Sequence, residues 1–340
     1  MLLPVSIDGD EVHPCIYLNT VEEISRNNAS VGWNIFVANS SALISPYLKL
    51  KTSETIFGPE NAWVSWGPPN GTIATVEGTG YRISGNWDFA SGCRQATWMG
   101  VHCMVKEKDG STRLSQNGQP ETRTMLFPVD NAHIIDTWNT IGLKGTSSDS
   151  YSIENLFVDE SFTGLRESPD TNTEAGPLYS FTMQGIYAVG VAAVALGIAR
   201  GMLDSFKELA TVKTPRSLQT LSKNPNVQGG IAKSEAKIGS AKSYLSETLC
   251  NIYDAAQPKT PIDLSERALV RLASTNAIHN SIKVVDWVYH QAGVNSIFPD
   301  QPFERPFRDI HTLSQQIQAR NSHYESVGKI LLGISNRSFF

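Results

Sequence analysis

The hydrophobic period of this chain changes along its length, and one kind of element cannot satisfy both periods. Between residues 62 and 157 apolar residues recur at every second position, as in half-buried strands. Beyond the polar stretch 167–176 they recur every three or four residues over long runs, as in amphipathic helices. Strands are predicted over 63–66, 72–76, 81–84, 97–106, 124–129, 133–138 and 151–157, with Lys108, Asp109 and Gly110 as a hairpin turn. Helices are predicted over 181–212, from Pro225 along the stripe Val227, Ile231, Ile238, Leu245, Leu249 and Ile252, over 261–292 and over 305–332. A further helix is expected over 20–43, opened by a Thr20 and Glu23 capping box. The fold class is therefore α+β. Its three units are a helical segment 1–56, a central β-barrel or sandwich 57–165 and a C-terminal four-helix bundle 176–340.

With 340 residues and 40% hydrophobic content the chain can bury a large core. A net charge of -5 offers no basic field for nucleic acid or an anionic membrane. Cys15, Cys93, Cys103 and Cys250 lack metal-type spacing and are expected to be reduced and buried, in a cytoplasmic protein. None of the seven histidines forms an HExxH or paired set, so no metal is expected. The first residues do not read as a signal peptide, and the apolar run 186–198 reads as a packed helix too short to span a bilayer.

One stretch, 78–105, stands out for chemistry. It reads as strand, corner, strand, with Trp87, Phe89 and Ser91 delivered to one spot and Gly85 and Gly92 where the chain turns. Such a corner is a plausible wall for a flat cofactor. Read from the residues alone, Ser91 is better explained as a turn serine, and Trp87 and Phe89 as core. The pair Glu22 and Glu23 reads as cap or surface charge, and Arg308 with Asp309 as an ion pair within the last helix.

The order helices, β unit, helices, together with GYRISGNWDFASG at 80–92, DTWNTIGLKGTSSDSYSIENLFVDE at 136–160, KTPRSLQTLSKNPNVQ at 213–228 and PFRDIHTLSQQ at 306–316, resembles the acyl-CoA dehydrogenase fold. Within it the wording is similar to the oxygenase components of two-component flavin monooxygenases, which act on para-hydroxyphenylacetate, a phenolic secosteroid or dibenzothiophene. That resemblance implies reduced FMN or FAD as cofactor, a separate flavin reductase as partner, a small-molecule substrate and a homotetramer. It places Ser91 near the flavin N5, where a hydroxyl can hydrogen-bond the oxygenated flavin, with Trp87 and Phe89 beside the ring. Arg216 would meet the flavin phosphate through its planar fork, Gln228 would lie next to it, and Gly293 would sit in a segment closing over the cofactor. A solvated loop arginine and a helix C-cap remain the alternatives for Arg216 and Gly293.

Two departures from the family pattern bear on mechanism. A dehydrogenase needs a carboxylate base, yet the corresponding place reads His311, Thr312, Leu313, Ser314. The phenol hydroxylases carry histidines where this chain has Ser41 and Gln316, which are expected to line the substrate side. His311, one turn earlier, is expected off the pocket. The resemblance also begins at Leu3, where relatives carry roughly fifty earlier residues of helix. The leading expectation is an oxygenase component acting on a small aromatic or heteroatom-bearing substrate. A flavin dehydrogenase or oxidase, and a catalytically idle scaffold, are the alternatives.

Overall fold

The computed structural model describes residues 1–116, 118–166, 168, 170–216 and 218–334. The last six residues of the expected C-terminal unit lie outside the described residues. In chain order the elements are helices α1 (Pro14–Asn27), α2 (Ala29–Ala42) and α3 (Leu50–Phe57), then strands β1 (Val64–Trp66), β2 (Ile73–Glu77), β3 (Gly80–Ala90), β4 (Trp98–Lys106), β5 (Thr122–Pro128), β6 (His133–Ile135), β7 (Asp149–Asp159) and β8 (Thr163–Gly164). Helices α4 (Met183–Val212), α5 (Pro225–Ala255), α6 (Leu264–Ala292), α7 (Glu304–Leu313) and α8 (Ser322–Leu331) follow. The α+β class holds, with helices and one mixed sheet. Among the described residues the sheet has eight strands in the order β6-β7-β3-β2-β4-β5-β8, with β1 parallel to β4.

Two predicted helices are each broken in two, for local reasons. The helix expected over 20–43 is α1 and α2, separated at Asn28, whose φ of -150° is extended. The Asn28 side chain accepts from the N–H groups of Ser30 and Val31, a strong N-cap that starts a new helix. Thr20 is thus mid-helix, and α1 instead begins at Pro14 behind a His13 cap. The helix expected over 305–332 is α7 and α8. Between them Gln316 turns back to accept the Gln318 N–H at 2.6 Å, and residues 314–321 leave the α-helical path. At the start of α6, Pro261 lies outside the helix, and Asp263 with Glu266 forms a capping box.

Helix α4 is the axis of the helical layer. By length and composition it could cross a membrane, contrary to the sequence expectation, but its most apolar window is 83% buried inside the protein. Small residues allow that burial. A Cβ at Gly197 would overlap the Glu22 carbonyl oxygen, and one at Gly190 would lie 2.5 Å from Phe36 Cδ2, so α1 and α2 approach the α4 backbone directly. Glu22 is nearly buried here and pairs with Lys242 at 2.7 Å, whereas Glu23 stays at the surface beside Arg26. Cys93 and Cys103 are buried as expected, but Cys15 and Cys250 are only half-buried, and their sulfurs lie 3.1 Å apart between α1 and α5. Burial and this neighbour push the Cys15 thiol up to about 12. His13 joins the two thiols as the one metal-like group among the described residues. Its Nδ1, however, is occupied by the Cys15 N–H at 3.0 Å, as the cap of α1.

The packing gives opposite signs for two glycines. Gly197→Ala should destabilise by about 1–3 kcal/mol through overpacking. Gly239→Ala on α5, where a Cβ meets nothing within 4 Å, should stabilise by about 0.5–1 kcal/mol. Urea denaturation of the two variants checks both; stabilisation by Gly197→Ala would contradict the close helix approach.

Candidate active site

The chemistry-bearing end of β3 is set by a bulge. Its register with β7 shifts between Trp87 and Ala90, and Phe89 sits at φ 62°. One extra residue reverses the in–out alternation beyond it. Trp87 therefore belongs to the β core, 1% exposed and stacked on Tyr151 with centroids 5.4 Å apart, and does not reach the cavity wall. Phe89 is 61% exposed and, with Ser91, lines a cavity of about 740 Å³. The strand runs on to Ala90, so the turn comes later than the sequence suggested. Gly92 at φ 74° makes it, against the Trp63 indole, and its N–H donates to the Thr146 carbonyl at 2.9 Å.

The cavity lies between the sheet and the helices. Its walls include Trp33, Phe89 and Trp138 as rings, Ser41 from α2, Gln184 and Tyr187 from α4, His311 from the last turn of α7, and residues 315–318 with Arg320 from the break after it. The interruption of the last helix thus carries the glutamines to the cavity. Ser41 and Gln316 both line it, but each is engaged with its own backbone. The Ser41 hydroxyl donates to the Val37 carbonyl at 2.9 Å, and Gln316 accepts from Gln318. Arg216, Gln228 and Gly293 lie elsewhere, around the α4–α5 connection. Arg216 and Gln228 are exposed, with the Gln228 amide donating to the Ser222 carbonyl at 2.8 Å. Gly293 caps α6 at φ 55°, and Lys213 next to it donates to the Ala292 carbonyl and to Asn295 Oδ1, each at 2.6 Å.

Sequence reasoning missed the partners of Ser91. The Trp33 indole N–H donates to Ser91 Oγ at 3.0 Å. Ser91 and Ser148 hydroxyls are 2.7 Å apart, as are Ser148 and Thr146, and Thr146 donates to the Leu143 carbonyl at 2.9 Å. A hydroxyl has one proton, so the carbonyl at the end fixes the direction of the whole chain: Thr146 gives to Leu143, Ser148 to Thr146, and Ser91 to Ser148. Ser91 is left with one lone pair free to accept, and the residue lines the cavity. The word 136–160 signalled this loop, but the hydroxyl chain depends on contacts across 57 residues that spacing does not reveal.

Two further groups were missed. His102 on β4 is 2% exposed, its Nδ1 lies 2.9 Å from the Thr124 hydroxyl, and the ring packs edge-on against Trp66. Burial, with Arg166 nearby, holds its pKa well below the ordinary histidine value, so it stands neutral on the wall. His311 lines the cavity as well, contrary to the sequence expectation, and its Nε2 is 2.8 Å from Asp286 Oδ1. Arg308 does not pair with Asp309. It binds Glu304 and the Ile141 carbonyl, while buried Asp309 accepts the Leu143 N–H at 2.6 Å. No Asp or Glu is among the described residues lining the cavity.

Two predictions follow from this geometry. Phe89→Gly should be more stable than Phe89→Ala by about 1 kcal/mol, since only glycine adopts φ near 60° freely; equal stabilities in denaturant titrations would contradict the bulge. Below about pH 6.5 the unfolded chain takes up a proton at residue 102 that the folded protein refuses. Stability therefore falls as pH falls, and His102→Gln should flatten that part of the profile in thermal melts across pH. An unchanged slope would contradict the buried neutral imidazole.

Residues 189–321 match the family profile described as Acyl-CoA dehydrogenase, C-terminal domain. The chain is 27% identical over 339 residues to an indole-3-acetate monooxygenase of Pseudomonas putida, covering 98% of this chain and 83% of that protein. It is 24% identical over 324 residues to the flavin-dependent monooxygenase, oxygenase subunit HsaA, of Rhodococcus jostii, covering 92% of this chain and 82% of that one. Among solved structures, XiaF from Streptomyces sp. in complex with FADH2 and glycerol superposes with a TM-score of 0.89 at 20% identity, covering 100% of this chain and 86% of that chain.

Proposed function

Because this chain has the acyl-CoA dehydrogenase fold and resembles the oxygenase components of two-component flavin-dependent monooxygenases, we propose that it is itself such a component. It takes reduced FMN or FAD from a separate reductase and uses O2 to oxygenate a small aromatic or heteroatom-containing substrate. The observation that carries the choice of chemistry is the composition of the cavity wall. The carboxylate that usually takes the α-proton as hydride leaves is not among the described residues of the wall, which offers hydroxyls, amides, imidazoles and guanidiniums.

The residues present fit a flavin. The volume of about 740 Å³ lies in the range of cofactor and ligand sites. Phe89, Trp33 and Trp138 offer apolar faces, and Ser91 presents one unfilled lone pair to a ring N–H. A reduced flavin held there would supply the electrons that activate O2. Ser91 would fix the ring by accepting from it, Trp33 and Ser148 would hold Ser91 in that orientation, and the rings would keep water from the reacting face. Ser41 and Gln316 would border the substrate.

Arg216, Gln228 and Gly293 are not among the residues that line the cavity. We assign them to the flavin tail of a neighbouring protomer in a cytoplasmic homotetramer, with a β-barrel 57–165 and a four-helix bundle 176–340 as its units. Exposed Val212, Leu218, Val294, Ile297 and Phe298 around them support a contact surface there. The test is anaerobic flavin binding. Preference for reduced over oxidised flavin, lowered about tenfold or more by Ser91→Ala through loss of hydrogen bonding, is the expected result. Protein purified yellow with tightly held flavin, bleached by an acyl thioester, would overturn the proposal in favour of a dehydrogenase.

A further inference from the structure

We propose that Cys15 and Cys250 form a reversible intramolecular disulfide, a redox-modification site that staples α1 to α5 when the protein meets a peroxide. The site is separate from the cavity, which neither residue lines.

The pair is assembled only by helix packing. Cys15 stands in the first turn of α1, directly after Pro14, and Cys250 lies near the end of α5, 235 residues away. Glu22 further along α1 and Lys242 further back along α5 form a 2.7 Å ion pair, so the two helices run antiparallel, with the cysteines at one end of their contact. The sulfurs are 3.1 Å apart, and a disulfide needs them only about 1 Å closer. Each thiol has one proton. Cys15 Sγ donates to the Ser246 carbonyl at 3.4 Å, so the proton between the two sulfurs belongs to Cys250 and points at Cys15. Both residues are half-buried, within reach of a molecule as small as hydrogen peroxide, whereas Cys93 and Cys103 are buried in the β core. A metal ion fits the group less well. His13 is the third possible ligand, but its Nδ1 accepts the Cys15 N–H at 3.0 Å, and its ring packs on Tyr253 with centroids 4.2 Å apart. Tetrahedral zinc, with Zn–S bonds of ~2.3 Å, would also hold two thiolates well beyond 3.1 Å from each other.

The chemistry balances with a peroxide as the only co-reactant. Cys250 Sγ attacks one oxygen of hydrogen peroxide, the O–O bond breaks, and the leaving hydroxide takes the thiol proton as water, which makes Cys250 a sulfenic acid. Cys15 Sγ then attacks the Cys250 sulfur, the S–O bond breaks, and the hydroxide released takes the Cys15 proton as a second water. The two sulfurs together give up two electrons and the peroxide is reduced to water. A dithiol reverses the bond by exchange. Burial and the neighbouring thiol hold the Cys15 proton up to about 12, so Cys15 is the resolving and not the attacking sulfur, and the pair answers sustained rather than brief exposure. The bond closes a loop that contains the whole sheet together with α2 and α4, and a cross-link over so long a loop restricts the unfolded chain strongly.

The test is made on the intact protein and needs no turnover. Reduced wild-type protein treated with hydrogen peroxide at neutral pH should lose half of its four thiols and the mass of two hydrogens. A peptide map without reductant should show the segments holding Cys15 and Cys250 joined. The melting temperature should rise by about 5 °C and return to its starting value with dithiothreitol. Cys15→Ser should stop at a Cys250 sulfenic acid, trapped by dimedone, and Cys250→Ser should leave Cys15 a free thiol. Circular dichroism checks that both variants are folded, and the wild-type map decides without them. Four free thiols after excess peroxide, a link through Cys93, Cys103 or a second copy of the chain, or sulfinic acid at either residue in place of the bond overturns the assignment. So does zinc that stays bound through dialysis and shields the two thiols, which gives the group to a metal.

Discussion

The carboxylate of Asp309, 5% exposed, accepts the Leu143 N–H at 2.6 Å, and the arrangement of the cavity depends on that bond. It fastens the loop between β6 and β7 to α7, across the boundary between sheet and helices. A Cβ at Gly142 would run into the Arg308 carbonyl, so loop and helix meet backbone to backbone. Burial raises the pKa of Asp309 while the Leu143 N–H opposes the rise, the signature of a carboxylate whose setting is structural. Leu143 is itself in the left-handed region at φ 50°, a conformation that costs energy and is held by these contacts.

From that anchor the polar geometry of the site unfolds in sequence. The Leu143 carbonyl accepts from Thr146, Thr146 from Ser148 and Ser148 from Ser91, so the orientation of one hydroxyl just after β3 is settled by a carbonyl held against α7. Trp33, from α2, closes the chain from the other side. Sheet, loop and two helices thus converge on a single acceptor. The bulge at Phe89 puts that acceptor and an aromatic ring on the same side, at the cost of a strained φ. His311 joins the cavity from the end of α7, the same helix to which the loop is clamped.

The sequence made the type and order of the elements legible because their periods differ and are sustained over many residues. Helix breaks were not legible, because a single Asn28 cap or a Gln316 turn overrides a pattern that continues past it. Of the site, Phe89, Ser91, Ser41 and Gln316 were found through their words and do line the cavity. Trp87 was misplaced because period-two reasoning assumes an unbroken strand, and one bulge residue inverts it. His102 was overlooked, and His311 was expected off the cavity, for a different reason. Their surroundings are set by Thr124, Trp66 and Asp286, which are distant in sequence, and no spacing rule encodes contacts made by tertiary packing.

The central claim is that Ser91, its proton spent on Ser148, receives the cofactor as an acceptor. A crystal structure of the protein soaked anaerobically with reduced flavin measures this directly. The account predicts the ring in the cavity beside Phe89, a ring N–H within hydrogen-bond distance of Ser91 Oγ, and the Ser91–Ser148 contact intact. Flavin bound outside the cavity, or a Ser91 hydroxyl rotated away from Ser148, would contradict it.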